Sequence, residues 1–384
     1  MQTAESLYEP LVGPLLECFP ELALCRSTAE LEAHPVYRKL RPDFEKVLGT
    51  IDTGDFTRAA APPRERYRVA AWNIERGMEF PGQLEALRTH PYLRECDVLL
   101  LTEADLGMAR SGNRDVAQEL ARGLGMHYAF APCYLNLAKG CGVERDVPGE
   151  NALGLHGNAV LSRYPITAVR AIRLHNGVDK MARREKRIGR QSALAADIDF
   201  PNLRLTAVSV HLDAQSTQRH RRDQMADVIA GLDLHRPVLL GGDWNTSTYN
   251  SSTALHAILG YSLRVLIGVD HVIRNHYLHP YRHFERGLFS LLEKHGFDYR
   301  SANVSGEPTG CYDIADTKAR RNLGEWVPGW CFAFIRWALR NHGGRCPLKL
   351  DWLAARGLRT DKPTVIHGLG LSDHDPIGVE ITAY

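Results

Sequence analysis

The stretch P-V-L-L-G-G-D-W-N, residues 237–245, carries a short apolar run into two polar side chains, Asp243 and Asn245. Such a run reads as a buried strand, and Asp and Asn at its far end read as a turn or as the rim of a site. The same arrangement recurs outward along the chain. V-A-A-W-N ends on Asn73, V-L-L-L-T-E on Glu103 and A-V-S-V-H on His211, while L-K-L-D begins a run with Asp351. L-S-D-H-D-P-I-G-V-E-I, residues 371–381, sets Asp373 and His374 directly before a last strand. Loops at one edge of a rigid sheet are where sites are built.

Composition limits the possible settings. The 384 residues are 44% hydrophobic and 24% charged, ample for a large core and unlike a disordered chain. A formal net charge of +2 offers no bulk electrostatic argument for a polyanionic partner. The eight cysteines show no C-x-x-C spacing, so zinc and redox dithiols are not expected and a reduced, cytoplasmic chain is. M-Q-T-A-E-S-L-Y-E-P lacks the basic and apolar regions of a secretory signal. No window holds the roughly 18 uninterrupted apolar residues of a membrane span, so no transmembrane segment is expected.

Residues 1–66 read as a helical extension and connector: L-Y-E-P-L-V-G-P-L-L-E-C-F and T-A-E-L-E-A-H-P-V-Y have helical spacing, and A-A-A-P-P-R-E-R links onward. From Tyr67 to the end, strand-like runs predominate, among them G-N-A-V-L-S-R-Y-P-I (157–166), S-A-L-A-A-D-I-D-F and L-R-L-T-A-V-S-V-H-L. Helix-like stretches lie between them, R-D-V-A-Q-E-L-A-R-G-L and T-Q-R-H-R-R-D-Q-M-A-D-V-I-A-G-L, with Gly123 and Gly231 as expected C-terminal stops. The pattern predicts a layered α+β domain over 67–384, broken by an insertion at about 262–345.

Taken singly, each strand-end residue also suits a turn. As a set they differ, because carboxylates and side-chain amides are hard oxygen ligands, and a histidine beside a carboxylate has a controllable proton.

W-N-I (72–74), L-T-E (101–103), the 157–166 run, S-V-H-L (209–212), G-D-W-N (242–245) and S-D-H (372–374) resemble, in order and spacing, the endonuclease/exonuclease/phosphatase superfamily. It includes pancreatic-type deoxyribonucleases, repair endonucleases, deadenylases, sphingomyelinases and inositol phosphatases. The resemblance implies a four-layered α/β/β/α sandwich, two packed and mainly antiparallel sheets with outer helices, that cuts phosphate esters with Mg²⁺, or Mn²⁺ in its place. It implies Glu103 as principal metal ligand with Asn73 and Asp373. Asp243 and Asn245 would position or deprotonate water, and His374, held by Asp351, would bind the phosphate. His211 stands where the repair-endonuclease branch has tyrosine, which turns the reading from that branch. Arg190, and Asn158 within the 157–166 run, would contact substrate. Glu75 shares a strand face with Asn73 if the strand continues, and so competes for the metal shell.

The substrate is read from two composition features. K-M-A-R-R-E-K-R-I-G-R (180–190) and R-H-R-R (219–222) suit a nucleic acid backbone, and a nuclease or phosphodiesterase acting on nucleic acid is the leading expectation. G-E-W-V-P-G-W-C-F-A-F-I-R-W-A-L-R (324–340) suits a lipid interface, a lid or the core of the inserted helix, and its aromatics equally suit base stacking. A sphingomyelinase-like headgroup phosphodiesterase is therefore the alternative, beside an inositol or sugar phosphatase and, more distantly, an inactive binding member.

Overall fold

The computed structural model describes residues 6–246, 254–317, 320–321 and 328–383. Among these the strands are β1 (Asp52–Asp55), β2 (Tyr67–Arg76), β3 (Val98–Leu106), β4 (His127–Asn136), β5 (Leu155–Ser162), β6 (Ile166–Arg173), β7 (Arg187–Gly189) and β8 (Ser192–Phe200). There follow β9 (Leu203–Ser209), β10 (Val238–Asp243), β11 (Gly310–Asp313), β12 (Arg345–Leu348), β13 (Asp351–Arg356), β14 (Leu358–Val365) and β15 (Ile377–Ala383). One sheet runs β1-β4-β5-β3-β2-β15-β14 with β7 paired to β4, a second runs β13-β10-β9-β8-β6, and β11 and β12 form a separate ribbon. Pairing is parallel at β2–β3 and β9–β10. Elsewhere it is antiparallel.

Period-two alternation decides which faces meet. Val69 and Ala71 of β2, Leu194, Ala196 and Ile198 of β8, and Leu353 and Ala355 of β13 share one buried cluster between the sheets. The intervening residues face outward. Ala70 and Trp72 pack beneath the helices Phe80–Thr89 and Val116–Leu124, and Trp352 and Ala354 beneath Gln218–Ala230 and Arg286–Lys294. The layers are thus helix, sheet, sheet, helix, as an α+β sandwich requires.

The helical N-terminal region, Glu9 to Gly49, joins the outer core of the first sheet through Val12, Leu15, Phe44 and Val47, with Tyr8 just before it. It leads into β1, which extends that sheet beyond β4. Neither β1 nor β4 belongs to the strands expected from sequence.

Two boundary expectations are corrected. Gly123 does not stop its helix. The stop is Gly125, whose φ of 66° is the left-handed value a C-terminal cap favours, and Gly123 instead admits a close neighbour. A Cβ there would lie 2.7 Å from Leu84 of the adjacent helix. The run 157–166 is not one strand either: β5 ends at Ser162 in the first sheet and β6 begins at Ile166 in the second. Gly231 does cap its helix.

Candidate active site

Parallel pairing brings the C-terminal ends of β2 and β3 to one edge, with Asn73 opposite Thr102, and parallel β9 and β10 do the same in the second sheet. Antiparallel β13 starts at that edge, Asp351 pairing with Asp243, and β15 starts there too, after His374. Asn73, Asp243 and Asp351 continue the inward parity of the residues below them. They close the end of the apolar layer between the sheets.

Asp243 is the centre of this end. One carboxylate oxygen accepts from Asn73 Nδ2 at 3.1 Å and from Asn245 Nδ2 at 3.2 Å, and the other accepts from the Asn245 backbone N–H at 2.9 Å. His211 Nε2 lies 3.5 Å from it and His374 Nε2 3.7 Å. Burial raises its pKa, the charge of Asp351 adds to that, and His374 and His211 oppose it.

His374 is fixed from behind. Its Nδ1 is 2.8 Å from Asp351 Oδ2, which also accepts from Thr309 Oγ1 at 2.7 Å. Thr309 Oγ1 in turn accepts from the backbone N–H groups of Leu350 and Asp351. Burial disfavours the imidazolium, but Asp351, Asp243 and Asp373 outweigh it and hold the pKa well above the ordinary histidine value. His211 goes the other way: burial, only partly offset by Asp243 and Glu103, lowers its pKa.

Glu103 reaches the same mouth by a backbone irregularity. The β2–β3 and β3–β5 registers slip at this point, and Glu103 takes a left-handed φ of 57°. A bulge of this kind re-aims a side chain, here to 3.9 Å from His211 Nε2 of the opposing sheet. Burial would raise its pKa, yet Arg76 at 3.8 Å and the nearby histidines hold it below the usual carboxylate range. Opposite it, Gly242 has φ 137°, and a Cβ there would sit 2.3 Å from the Val210 carbonyl oxygen, so the close approach demands glycine.

Beneath Glu103 lies a charged network that sequence reasoning missed. Arg76 also pairs with Glu144 at 2.9 Å. Glu144 then meets the fully buried Arg110, which forks onto Asp105 and reaches Glu185. His156 Nδ1 joins Asp105 at 2.8 Å. Its spacing two residues before Asn158 on β5 is the one sequence signal available for it. Thr309, inside the long excursion between β10 and β13, had none.

The other expected residues are placed differently. Glu75 has a left-handed φ of 44° and donates its backbone N–H to Asn73 Oδ1, while its neighbour Arg76 is the one that meets Glu103. Asp373 is exposed beside His374, with Ser372 Oγ at 3.4 Å. Asn158 is buried and donates to the Ser192 carbonyl at 2.7 Å. Arg190 is exposed on the wall of a 320 Å³ cavity that also includes Arg173, Arg187 and Tyr37. Neither Asn158 nor Arg190 makes a hydrogen bond with Asp243, Glu103 or His374.

The basic clusters are partly committed inside the molecule, while Arg184, Arg190 and Arg222 are exposed. Lys180 binds Asp213, Lys186 the carbonyls of Cys25 and Met181, and Arg187 binds Glu185. Arg221 is buried against Glu285, and Arg222 pairs with Asp223. All eight cysteines are free thiols.

The family model for the endonuclease/exonuclease/phosphatase family matches residues 70–374, a span that begins inside β2 and ends on His374. The chain belongs to this family. A search of curated proteins finds no match. Among solved structures, the endonuclease/exonuclease/phosphatase from Beutenbergia cavernae is similar at 16% identity, covering 83% of this chain and 72% of that one, with TM-score 0.49. A family protein from Leptotrichia buccalis is similar at 12% identity, with coverage of 82% and 99% and TM-score 0.46. An AP endonuclease from Archaeoglobus fulgidus is similar at 13%, with coverage of 82% and 98% and TM-score 0.45.

Endonuclease/exonuclease/phosphatase proteins are phosphoester hydrolases that usually employ divalent metals, and the donor set here fits one. Ligand atoms of Asp243, Asp351 and His374 lie within 4.8 Å of one another. Within that trio Asp351 Oδ2 is engaged by His374 and Thr309, while Asp351 Oδ1 is buried without a hydrogen-bond partner among the described residues. Glu103 is different. No donor among the described residues hydrogen-bonds its carboxylate, which is mostly buried but reaches the surface and is open to a cation that keeps several waters. No helix among the described residues is long and apolar enough to cross a membrane.

Proposed function

We propose that this protein is a Mg²⁺-dependent hydrolase of phosphodiesters, with Mn²⁺ able to replace Mg²⁺. The observation that carries this is the convergence on the Asp243 carboxylate of Asn73, Asn245, His211 and His374, with Glu103 next to His211. Glu103, with Asn73 and Asp373, is the set that would hold the cation. When bound, the cation offsets phosphate charge and acidifies a coordinated water.

The chain's own groups supply the rest. Asp243, its basicity raised by burial and its orientation fixed by two asparagines, accepts a proton from the attacking water. His374, kept cationic by Asp351, donates Nε2 to a non-bridging phosphate oxygen as a charge-assisted hydrogen bond. His211, kept neutral by burial and set between Glu103 and Asp243, offers an Nε2–H hydrogen bond to the departing oxygen as its bond to phosphorus breaks, and that oxygen takes a proton from solvent while Asp243 returns its own there. Asn73 and Asn245 hold Asp243 while its charge changes.

The test is turnover of a bis-nitrophenyl phosphate by purified protein. Activity should require Mg²⁺ or Mn²⁺, vanish in EDTA, return on adding the metal, and be lost in Asp243→Ala with the far-UV spectrum unchanged. Full activity in Asp243→Ala would refute the assignment, and absence of any turnover would favour a binding member of the family.

A second reading concerns the substrate. Nucleic acid is the expectation from sequence, but the pairing of Lys180, Lys186, Arg187 and Arg221 within the molecule takes up part of the charge it relied on. Exposed apolar side chains on the excursion between β10 and β13 favour a phospholipid headgroup diester instead. Release of a phosphorylated headgroup from liposomes, without cutting of DNA or RNA, decides for the lipid, and the reverse outcome for nucleic acid.

A further inference from the structure

Apolar exposure in this protein is concentrated in one place. Of the nine large hydrophobic side chains exposed among the described residues, seven lie on two helices, Ala254–Ile267 and Trp330–Ala338. Scattered surface leucines need no explanation, but a contiguous set marks an interaction surface. On the first helix Leu255, Leu259, Leu263 and Leu266 recur at spacings of four, four and three, which aligns them on one face. On the second, Trp330 and Trp337 are two turns apart. All six are between 53% and 84% exposed.

The opposite sides of these helices are already occupied. Ile335 and Leu339 pack with Val272 and Ile273 in a small core that Tyr261 adjoins, and Tyr261 meets Phe334 edge to face at 5.9 Å between ring centres. The outward leucines and tryptophans are therefore not a core awaiting its other half. The described part of the 324–340 stretch divides between that inner core and the outer face, while residues 324–327 lie outside the described residues.

We infer that this face docks on an anionic phospholipid bilayer. Neither helix contains Asp or Glu. Arg336 and Arg340 are exposed beside Trp337, the Arg340 guanidinium lying 4.8 Å over its ring. Asp270, the nearest acid in sequence to the first helix, is neutralised by Arg274 at 3.0 Å and approached by His342 at 3.6 Å. Leucines that enter the acyl boundary, tryptophans that prefer the interface and arginines that meet lipid phosphates make up an interfacial binding surface. A second copy of the chain is the poorer occupant, because it would bring together two faces that both carry exposed Arg336 and Arg340 and no acid on either helix to pair with them.

The surface is joined to the candidate active site by the chain itself. The first helix begins nine positions after Asn245, and the ribbon β11–β12 leads back to Asp351. Gly310 of β11 is bridged to His374, and Thr309 holds Asp351. A bilayer on this face would present its headgroups to the segment from which the site is hung. The inference stands on exposure and charge and goes beyond the hydrolytic reading, so its test is run without turnover.

That test is co-sedimentation of the full chain, in EDTA, with vesicles of phosphatidylcholine alone and with added phosphatidylglycerol. Binding is expected to the anionic vesicles, weakening with salt, together with a blue shift of tryptophan emission. The double substitution Leu259→Glu with Leu263→Glu should weaken partitioning by at least roughly tenfold. Its circular dichroism and its Mg²⁺-supported turnover of the soluble ester should match the parent protein. The inference is overturned if neither vesicle sediments the protein or if the double variant binds equally well. It is also overturned if sedimentation velocity shows a dimer that the double variant dissolves, since the face then closes on a second copy.

Discussion

Asp243 and Asp351 are registered partners across β10 and β13, yet one carboxylate is held by amides and the other by an imidazole and a hydroxyl. Two acids side by side in a buried end of a sandwich would repel. The structure separates their roles by placing His374 against both, 2.8 Å from Asp351 and 3.7 Å from Asp243. The proton on His374 is what makes the pair tenable.

This sets a pH dependence. The His374 pKa is raised in the folded state, so its contribution to stability is complete below about 6.5 and is lost as pH rises through the folded value. In metal-free protein at pH 7.5, imidazole nitrogen shifts in NMR should report His374 as cationic, and Asp351→Asn should make it neutral. Turnover should rise with pH as Asp243 ionises, above the ordinary carboxylate range, and fall only as His374 deprotonates. A basic limb at an ordinary histidine value would contradict the assignment.

Thr309 positions Asp351 without facing the mouth. Thr309→Val removes one donor and leaves two buried N–H groups without their acceptor, so urea denaturation should show a loss of about 1–3 kcal/mol. If Thr309 also orients the His374 pair, kcat falls while KM is nearly unchanged, and Thr309→Ser restores both.

Glu103 is the expected metal anchor. Glu103→Gln keeps size but removes charge, so the Mg²⁺ concentration for half-maximal turnover should rise by roughly tenfold or more, about 1.4 kcal/mol, with a smaller change at saturating metal. An unaltered metal titration would transfer the role to another carboxylate.

Arg110 is fully buried among Asp105, Glu144 and Glu185. Removing it leaves uncompensated carboxylates, and Arg110→Met should destabilise the fold by about 3–5 kcal/mol in chemical denaturation. Because Glu144 also pairs with Arg76, which faces Glu103, the metal titration should shift in the same variant if it can be purified.

The sandwich was legible where a short continuous apolar run ends in a polar residue, as in V-A-A-W-N and V-L-L-G-G-D, whose polar ends fall on the inward face. It was not legible in β1, where D-T-G-D has no apolar repeat, nor in β4, where Pro132 breaks the pattern at the point where the register shifts. Glu103 was legible as a strand-end carboxylate, but its left-handed backbone was not. The Arg110 network was invisible because its acids come from separate turns and strands, joined only by folding. In the basic clusters sequence counts cations, whereas folding pairs some of them, Lys180 with Asp213 and Arg221 with Glu285, and leaves others such as Arg190 exposed.

The long excursion between β10 and β13 departs from and returns to a single rung of the ladder, so its two ends are fixed whatever lies between them. Loop-closure cost grows only slowly with length, which makes this junction tolerant of replacement. That latitude belongs to the part carrying Ala254–Ile267 and Trp330–Ala338, which could be exchanged; Thr309, which holds Asp351, and Arg286–Lys294, which covers Trp352, have to stay if the rung is to keep its chemistry.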